Sequence, residues 1–200
     1  MFGTELASGK DEMSPGGHLI TTVAACATSV FLTRDLPLSD TVAVAGGIAA
    51  GGFLIDIDHV IDYVLVERQR DLRPAAFLRY YVECRMRRIV LPLHSYELFA
   101  VLAAVTVWFN FLPLTGYLIG ALMHLSLDLI FNAELTPRSI AAFYSFTYRA
   151  AHRFETGELL GPSAMAPAGS FWSAFFGGAK PTGVLHAQTD VRASETAPRA

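Results

Sequence analysis

The chain has 200 residues, 52% of them hydrophobic and 16% charged, with a formal net charge of -3 and a mean hydropathy of +0.40. Soluble domains carry about 25% charged residues, so lipid is the expected solvent for much of this surface. The weakly acidic balance gives no reason to expect a nucleic-acid partner, which calls for a basic face. Cys26 lies in an apolar run and Cys84 in an arginine-rich stretch, a placement that indicates neither a disulfide framework nor a cysteine zinc site.

In chain order, residues 1–17 read as a short flexible leader, 18–160 as one membrane helical domain, and 161–200 as an interfacial patch with a disordered tail. Val23-Ala24-Ala25-Cys26 looks like a lipoprotein cleavage box, but Glu5, Asp11 and Glu12 precede it with only Lys10, not a basic region. The segment is therefore expected to be retained as a first span, Leu19 to Thr33, closed by Arg34-Asp35-Leu36-Pro37. A second uncharged run, Thr41 to Ile55, carries Gly46-Gly47 and Gly51-Gly52, pairs suited to close helix–helix approach in a membrane. An aspartate does not by itself stop a helix, so this span is expected to run on to about Leu65 or Val66. Further apolar stretches run from Leu98 to Pro113 and from Leu114 to Phe131. All are short against the about 20 residues of a full crossing.

Between the second and third stretches, Arg68, Arg70, Arg73, Arg79, Arg85, Arg87 and Arg88 outweigh Glu67, Asp71 and Glu83. This excess places the loop in the cytoplasm, which gives four spans with both termini inside. Pro74 is expected to open a helix through residues 75–90, lying on the membrane surface or serving as a plain connector. Residues 139–160 read as helical and interfacial, and Phe171, Trp172, Phe175 and Phe176 as a last interfacial patch. The expected fold is thus an all-α polytopic membrane bundle of about four transmembrane helices with interfacial helices.

Ionisable residues beside apolar helices are costly and point to function. They are His18, Asp56-Ile57-Asp58-His59, His94, and His124 with Asp128. Under the four-span topology all of them fall at the cytoplasmic end of their helices. His124 and Asp128 are i, i+4 and share a helix face, as do Asp56 and His59 at i, i+3. Imidazole with carboxylate suits zinc, iron or manganese better than calcium or magnesium. Taken singly, His18 and His94 also fit structural roles, and His124 with Asp128 also fits a hydrogen-bonded pair tying helices together. Asp62, Asn132 and Glu134 read as supporting or surface groups, Glu97 as a reserve ligand or base, and His152 and His186 as outside the site.

The order of an early His, Asp-Ile-Asp-His, a His before a span, and His-Leu-Ser-Leu-Asp over residues 18–132 resembles the membrane-bound metal-dependent hydrolase family. These are bacterial inner-membrane proteins, one of them LexA-regulated, distantly similar to the zinc-dependent phospholipase C and P1 nuclease group. The resemblance implies a metal site of His18, Asp56, Asp58, His59, His94, His124 and Asp128, holding zinc or else manganese or iron. It implies hydrolysis of a phosphoester, of a lipid or a small molecule; Asp58 or Glu97 is the expected base that takes the proton from a metal-bound water. The family's third motif continues His-Arg-Gly with a second His close behind, whereas here it reads His94-Ser95-Tyr96-Glu97. This departure weighs against a multi-zinc cluster. The rival expectations are a non-enzymatic membrane protein with a structural metal or polar cluster, and an ion or proton transporter.

Overall fold

The computed structural model describes residues 13–132, 139–160 and 170–177. Within them the chain is helical, with a lone backbone bridge between Arg88 and Glu155 in place of any strand. Helix α1, Pro15–Leu32, starts earlier than the leader reading allowed. Pro15 occupies its first turn and the Ser14 hydroxyl accepts the Gly17 N–H at 3.1 Å, an N-cap that satisfies an orphan donor. Residues 1–12 and 178–200, which hold the rest of the expected leader and nearly all of the expected tail, lie outside the described residues, as do Glu134 and His186.

Helices α2, Leu38–Gly52, and α6, Leu112–Phe131, form the most extensive helix pair among the described residues. Their glycines explain it. A Cβ placed on Gly47 would meet the Pro113 carbonyl, on Gly51 that of Tyr117, on Gly116 that of Val44 and on Gly120 that of Ile48. Each helix therefore rests backbone against backbone on the other, the close approach that small residues permit. Helix α5, Tyr96–Phe109, ends at Asn110 in the left-handed conformation (φ 48°) and turns into α6, whose Pro113 sits in the first turn.

The helical run that begins with α2 continues through the aspartates to Val66, but not straight. After Gly52 it bends by 47° and continues as a 3-10 turn, Leu54–Asp56, a short helix α3, Ile57–Ile61, and a π-turn, Asp62–Val66. Such changes of helical pitch release backbone groups and re-aim side chains. Helix α4, Pro74–Val82, is shorter than expected, because Cys84 adopts a positive φ of 47° and the chain then runs largely without helix to Ser95. Residues 139–160 form three short helices rather than one: α7, Ile140–Phe143; α8, Phe146–Ala151; and α9, Thr156–Leu159. Ser145 caps α8, and positive φ at Arg153 and Phe154 separates α8 from α9. The expected aromatic patch is a helix, α10, Phe171–Gly177, packed on α1 and α4.

Among the described residues two helices, α1 and α6, are long and apolar enough to cross a membrane, and the bent pair Leu38–Gly52 with Leu54–Val66 makes a third if it counts as one span. Helix α5, at 14 residues, is about 21 Å long, short of a hydrocarbon core of about 30 Å. Large apolar side chains such as Val107, Trp108 and Leu38 are exposed, as lipid contact requires. A compact core of Ile55, Phe99, Leu118, Ala121 and Leu125 packs with Phe143 and Leu159.

Because Gly51 faces backbone while Gly46 has nothing within 4 Å of its notional Cβ, the two sites should respond oppositely to alanine. Gly51→Ala is expected to destabilise the protein by about 1–3 kcal/mol through overpacking, and Gly46→Ala to be neutral or stabilising by up to about 1 kcal/mol. Thermal unfolding of the detergent-purified variants, followed by helical circular dichroism, checks both.

Candidate metal centre

The bend after Gly52 is where the site begins. A helix end leaves its last carbonyls without intrahelical donors, and the Gly52 carbonyl accepts from Nδ1 of His124 at 2.9 Å. The close glycine packing of α2 on α6 makes that reach possible. His94, at the end of the non-helical stretch before α5, places its Nδ1 at 3.1 and 2.9 Å from the two carboxylate oxygens of Asp58. Asp58 is fully buried and also accepts the Leu93 N–H at 3.0 Å.

These anchors decide the protonation of both rings. A carbonyl and a carboxylate only accept, so Nδ1 carries the proton in each imidazole and Nε2 presents a lone pair. The two Nε2 atoms lie 3.3 Å apart, and each is 3.4 Å from the same oxygen of Asp56. Three electron-rich atoms thus form a nearly equilateral triangle with no hydrogen between them. Only a cation in the middle, a proton or a metal ion, makes this arrangement favourable. Three ligands about a tetrahedral zinc at 2.0–2.1 Å are spaced by about 3.3–3.4 Å, which matches the edges of the triangle. A histidine whose distal N–H is held by a carboxylate or carbonyl is also the usual supporting arrangement for a metal ligand. Without a metal, a proton shared among these atoms would do the work of the cation.

The other expected residues arrange themselves around this triangle. His59 lies at its rim, part-exposed, with Nε2 at 3.7 Å from the same Asp56 oxygen; it also forms a potential ligand group with Asp58 and His94. His18 and Asp128 form a further group with His124. The His18 ring stacks on His124 at 3.8 Å, its Nε2 is 3.1 Å from Asp128, and its buried Nδ1 has no partner. Since His124 has one free nitrogen, the two groups that share it compete for it, and the Asp56–His94–His124 triangle is the one with both imidazoles anchored from behind. Asp128 further accepts from Asn132 at 3.1 Å and from the hydroxyl of Tyr144. Burial and the Asp128 charge push the Tyr144 phenol well above its ordinary value.

Of the two expected bases, Asp58 has its oxygens on the His94 ring and the Leu93 N–H. Glu97 accepts from Ser145 and from the backbone and hydroxyl of Thr147 and the N–H of Phe146; it caps α8 and does not line the cavity above the cluster. His152, expected outside the site, turns its Nδ1 to the Tyr148 carbonyl at 2.9 Å.

Sequence reasoning missed how His94 is held. Asp62 accepts the N–H groups of Val90 and Leu91 at 2.7 and 3.1 Å. The guanidinium of Arg149, wholly buried, donates to the carbonyls of Val90, Leu91, His94 and Phe143 at 2.7–3.1 Å. Burial pulls the Arg149 guanidinium below its ordinary value, yet it stays charged. The signals were there: Asp62 follows Asp58 by four, on the same face, and Arg149 is a charge beside an aromatic run. Loss of Arg149 removes the side-chain donor from all four carbonyls, of which that of Leu91 keeps a second partner, the His94 N–H at 3.1 Å, so Arg149→Met is expected to destabilise by at least about 3 kcal/mol. Arg149→Lys should rescue little, since one ammonium cannot span the four carbonyls; melting curves of the three proteins test this.

Among known proteins, no family, no curated protein and no solved structure matches this chain.

Proposed function

We propose that the chain is a zinc-dependent hydrolase of the bacterial cytoplasmic membrane, acting on a phosphoester. The observation that carries the metal is the convergence of two anchored imidazole lone pairs and the Asp56 carboxylate at zinc-like spacing. Three protein ligands leave a fourth position, the mark of a catalytic rather than a structural site, and the cluster lines a cavity of about 540 Å³. Bound there, zinc supplies Lewis acidity towards water and a phosphoryl oxygen. Asp58 and the Gly52 carbonyl keep His94 and His124 in the ligating tautomer. His59, at the rim and lining the cavity, is the group placed to take a proton from water. The phosphoester rests on the resemblance of the Asp-Ile-Asp-His and His-Leu-Ser-Leu-Asp motifs to the membrane-bound metal-dependent hydrolases.

In the membrane we place four crossings, with α5 completed by its flanks. The seven arginines of residues 68–88 are all exposed, which supports a cytoplasmic location for that loop and hence for both termini. One observation favours a second reading. The 47° break beside Asp56 also suits an ion or proton path, since transporters use broken helices at their binding sites.

Metal analysis of detergent-purified protein separates the two. Wild type and Glu97→Gln should carry close to one zinc per chain, His124→Ala and Asp56→Asn none. Asp58→Asn should keep the fold but weaken zinc about 10–100-fold in competition with a chelating dye. Metal-free wild type, or equal content in His124→Ala, contradicts the proposal and leaves the transporter reading.

A further inference from the structure

The cavity over the cluster is chemically divided, and its division says what fits. Its polar wall is the His/Asp cluster itself. The remaining walls are apolar: Phe77 and Leu78 from α4, Phe171 and Phe175 from α10, and Met86 and Ile89 from the stretch that leads to His94. Among the described residues, no lysine or arginine lines it, so an anionic group entering has only the metal position to go to.

Among the described residues, the tyrosines and the asparagine of the lining direct their hydrogen bonds to the protein, not to a sugar or a base. The other polar side chains on the lining include Tyr81, Tyr144 and Asn132. The Tyr81 hydroxyl donates to the His59 carbonyl at 2.6 Å, and that of Tyr144 to Asp128. Asn132 donates to Asp128 at 3.1 Å and accepts the Met13 N–H at 3.1 Å. A polar substrate would be desolvated here without repayment by partners. A hydrocarbon chain loses nothing. The α10 wall is apolar on both sides, with Phe171 and Phe175 inside and Trp172 and Phe176 64% and 55% exposed outside, as a wall between a tail-filled cavity and lipid requires.

We propose that this cavity receives the hydrocarbon tail of an amphiphile whose oxyanion head lies against the Asp56–His94–His124 triangle. The tail specificity rests on the metal reading above only for the position of the head. The volume, about 540 Å³, lies within the range of small-molecule sites and accommodates a single chain of moderate length.

The test is calorimetry of butyl, hexyl and octyl phosphate binding to the full chain held in a detergent-free amphiphilic polymer, with zinc and with a chelator. Each added CH₂ is worth about 0.8 kcal/mol when buried, so octyl phosphate should bind about 200-fold more tightly than butyl phosphate, at one saturable site. Zinc should add the same factor at every chain length. Ala174→Trp, which fills the cavity from a buried position on α10, should flatten the chain-length increment and leave the zinc factor intact. Affinity independent of chain length in the wild type overturns the proposal, whatever the variant does. So does an undiminished increment in a folded Ala174→Trp protein. A normal increment with no zinc factor spares the tail site and strikes down the metal reading instead.

Discussion

Residues 83–95 are the part of the molecule that secondary structure does not look after. They carry His94 into an interior where an unpaired N–H or C=O is costly, and their backbone pairing to residues 154–156 reaches only as far as Ile89. Side chains take over both edges. Asp58 and Asp62 accept the N–H groups of Val90, Leu91 and Leu93 from one side. Arg149 donates to the carbonyls of Val90, Leu91 and His94 from the other. A left-handed Leu91, at φ 43°, turns the chain between them. Two buried carboxylates and one buried guanidinium are thereby each satisfied without forming a direct ion pair. Their mutual attraction acts across the backbone they grip. The imidazole of His94 is fixed as a consequence, and the triangle with His124 and Asp56 depends on it.

The second arm of the site is fixed differently. His124 sits in a regular helix, and its position follows from glycine packing of α6 on α2. What brings Asp56 opposite it is the loss of regular pitch after Gly52. A straight α2 would have carried its aspartates on along its own axis; the 47° break directs Asp56 at the two imidazoles while Asp58 passes behind one of them. Two aspartates separated by a single residue thus take opposite roles, one facing the cation position and one orienting a ligand.

Much of this was legible in the residues, for identifiable reasons. Apolar runs mark α1, α2, α5 and α6, because in such a chain hydrophobicity and helix go together. The glycine pairs of α2 announce a close neighbour. Charged groups set in apolar sequence mark Asp56, Asp58, His59, His124 and Asp128, and these do meet, with His18 and His94. Less was legible where long-range geometry decides. Which of Asp56 and Asp58 faces inward depends on the bend. Glu97 looks available in sequence but is taken up by the α8 N-terminus, which is nearly fifty residues away along the chain. Arg149 reads as one charge beside an aromatic run until the carbonyls it serves are known. Tyr144, read as interfacial, is buried against Asp128 because α7 and α8 fold inward on the core instead of lying as one helix at the surface.

At the centre of the account are two imidazole nitrogens and a carboxylate oxygen converging on one cation. X-ray absorption at the zinc edge of the zinc-loaded protein tests it most directly. A four-coordinate shell of nitrogen and oxygen at about 2.0–2.1 Å, with outer-shell scattering from two imidazoles, is expected in the wild type, and no bound zinc to give a signal in His94→Ala. A sulfur shell, a shell without imidazole scattering, or a wild-type spectrum from His94→Ala would contradict it.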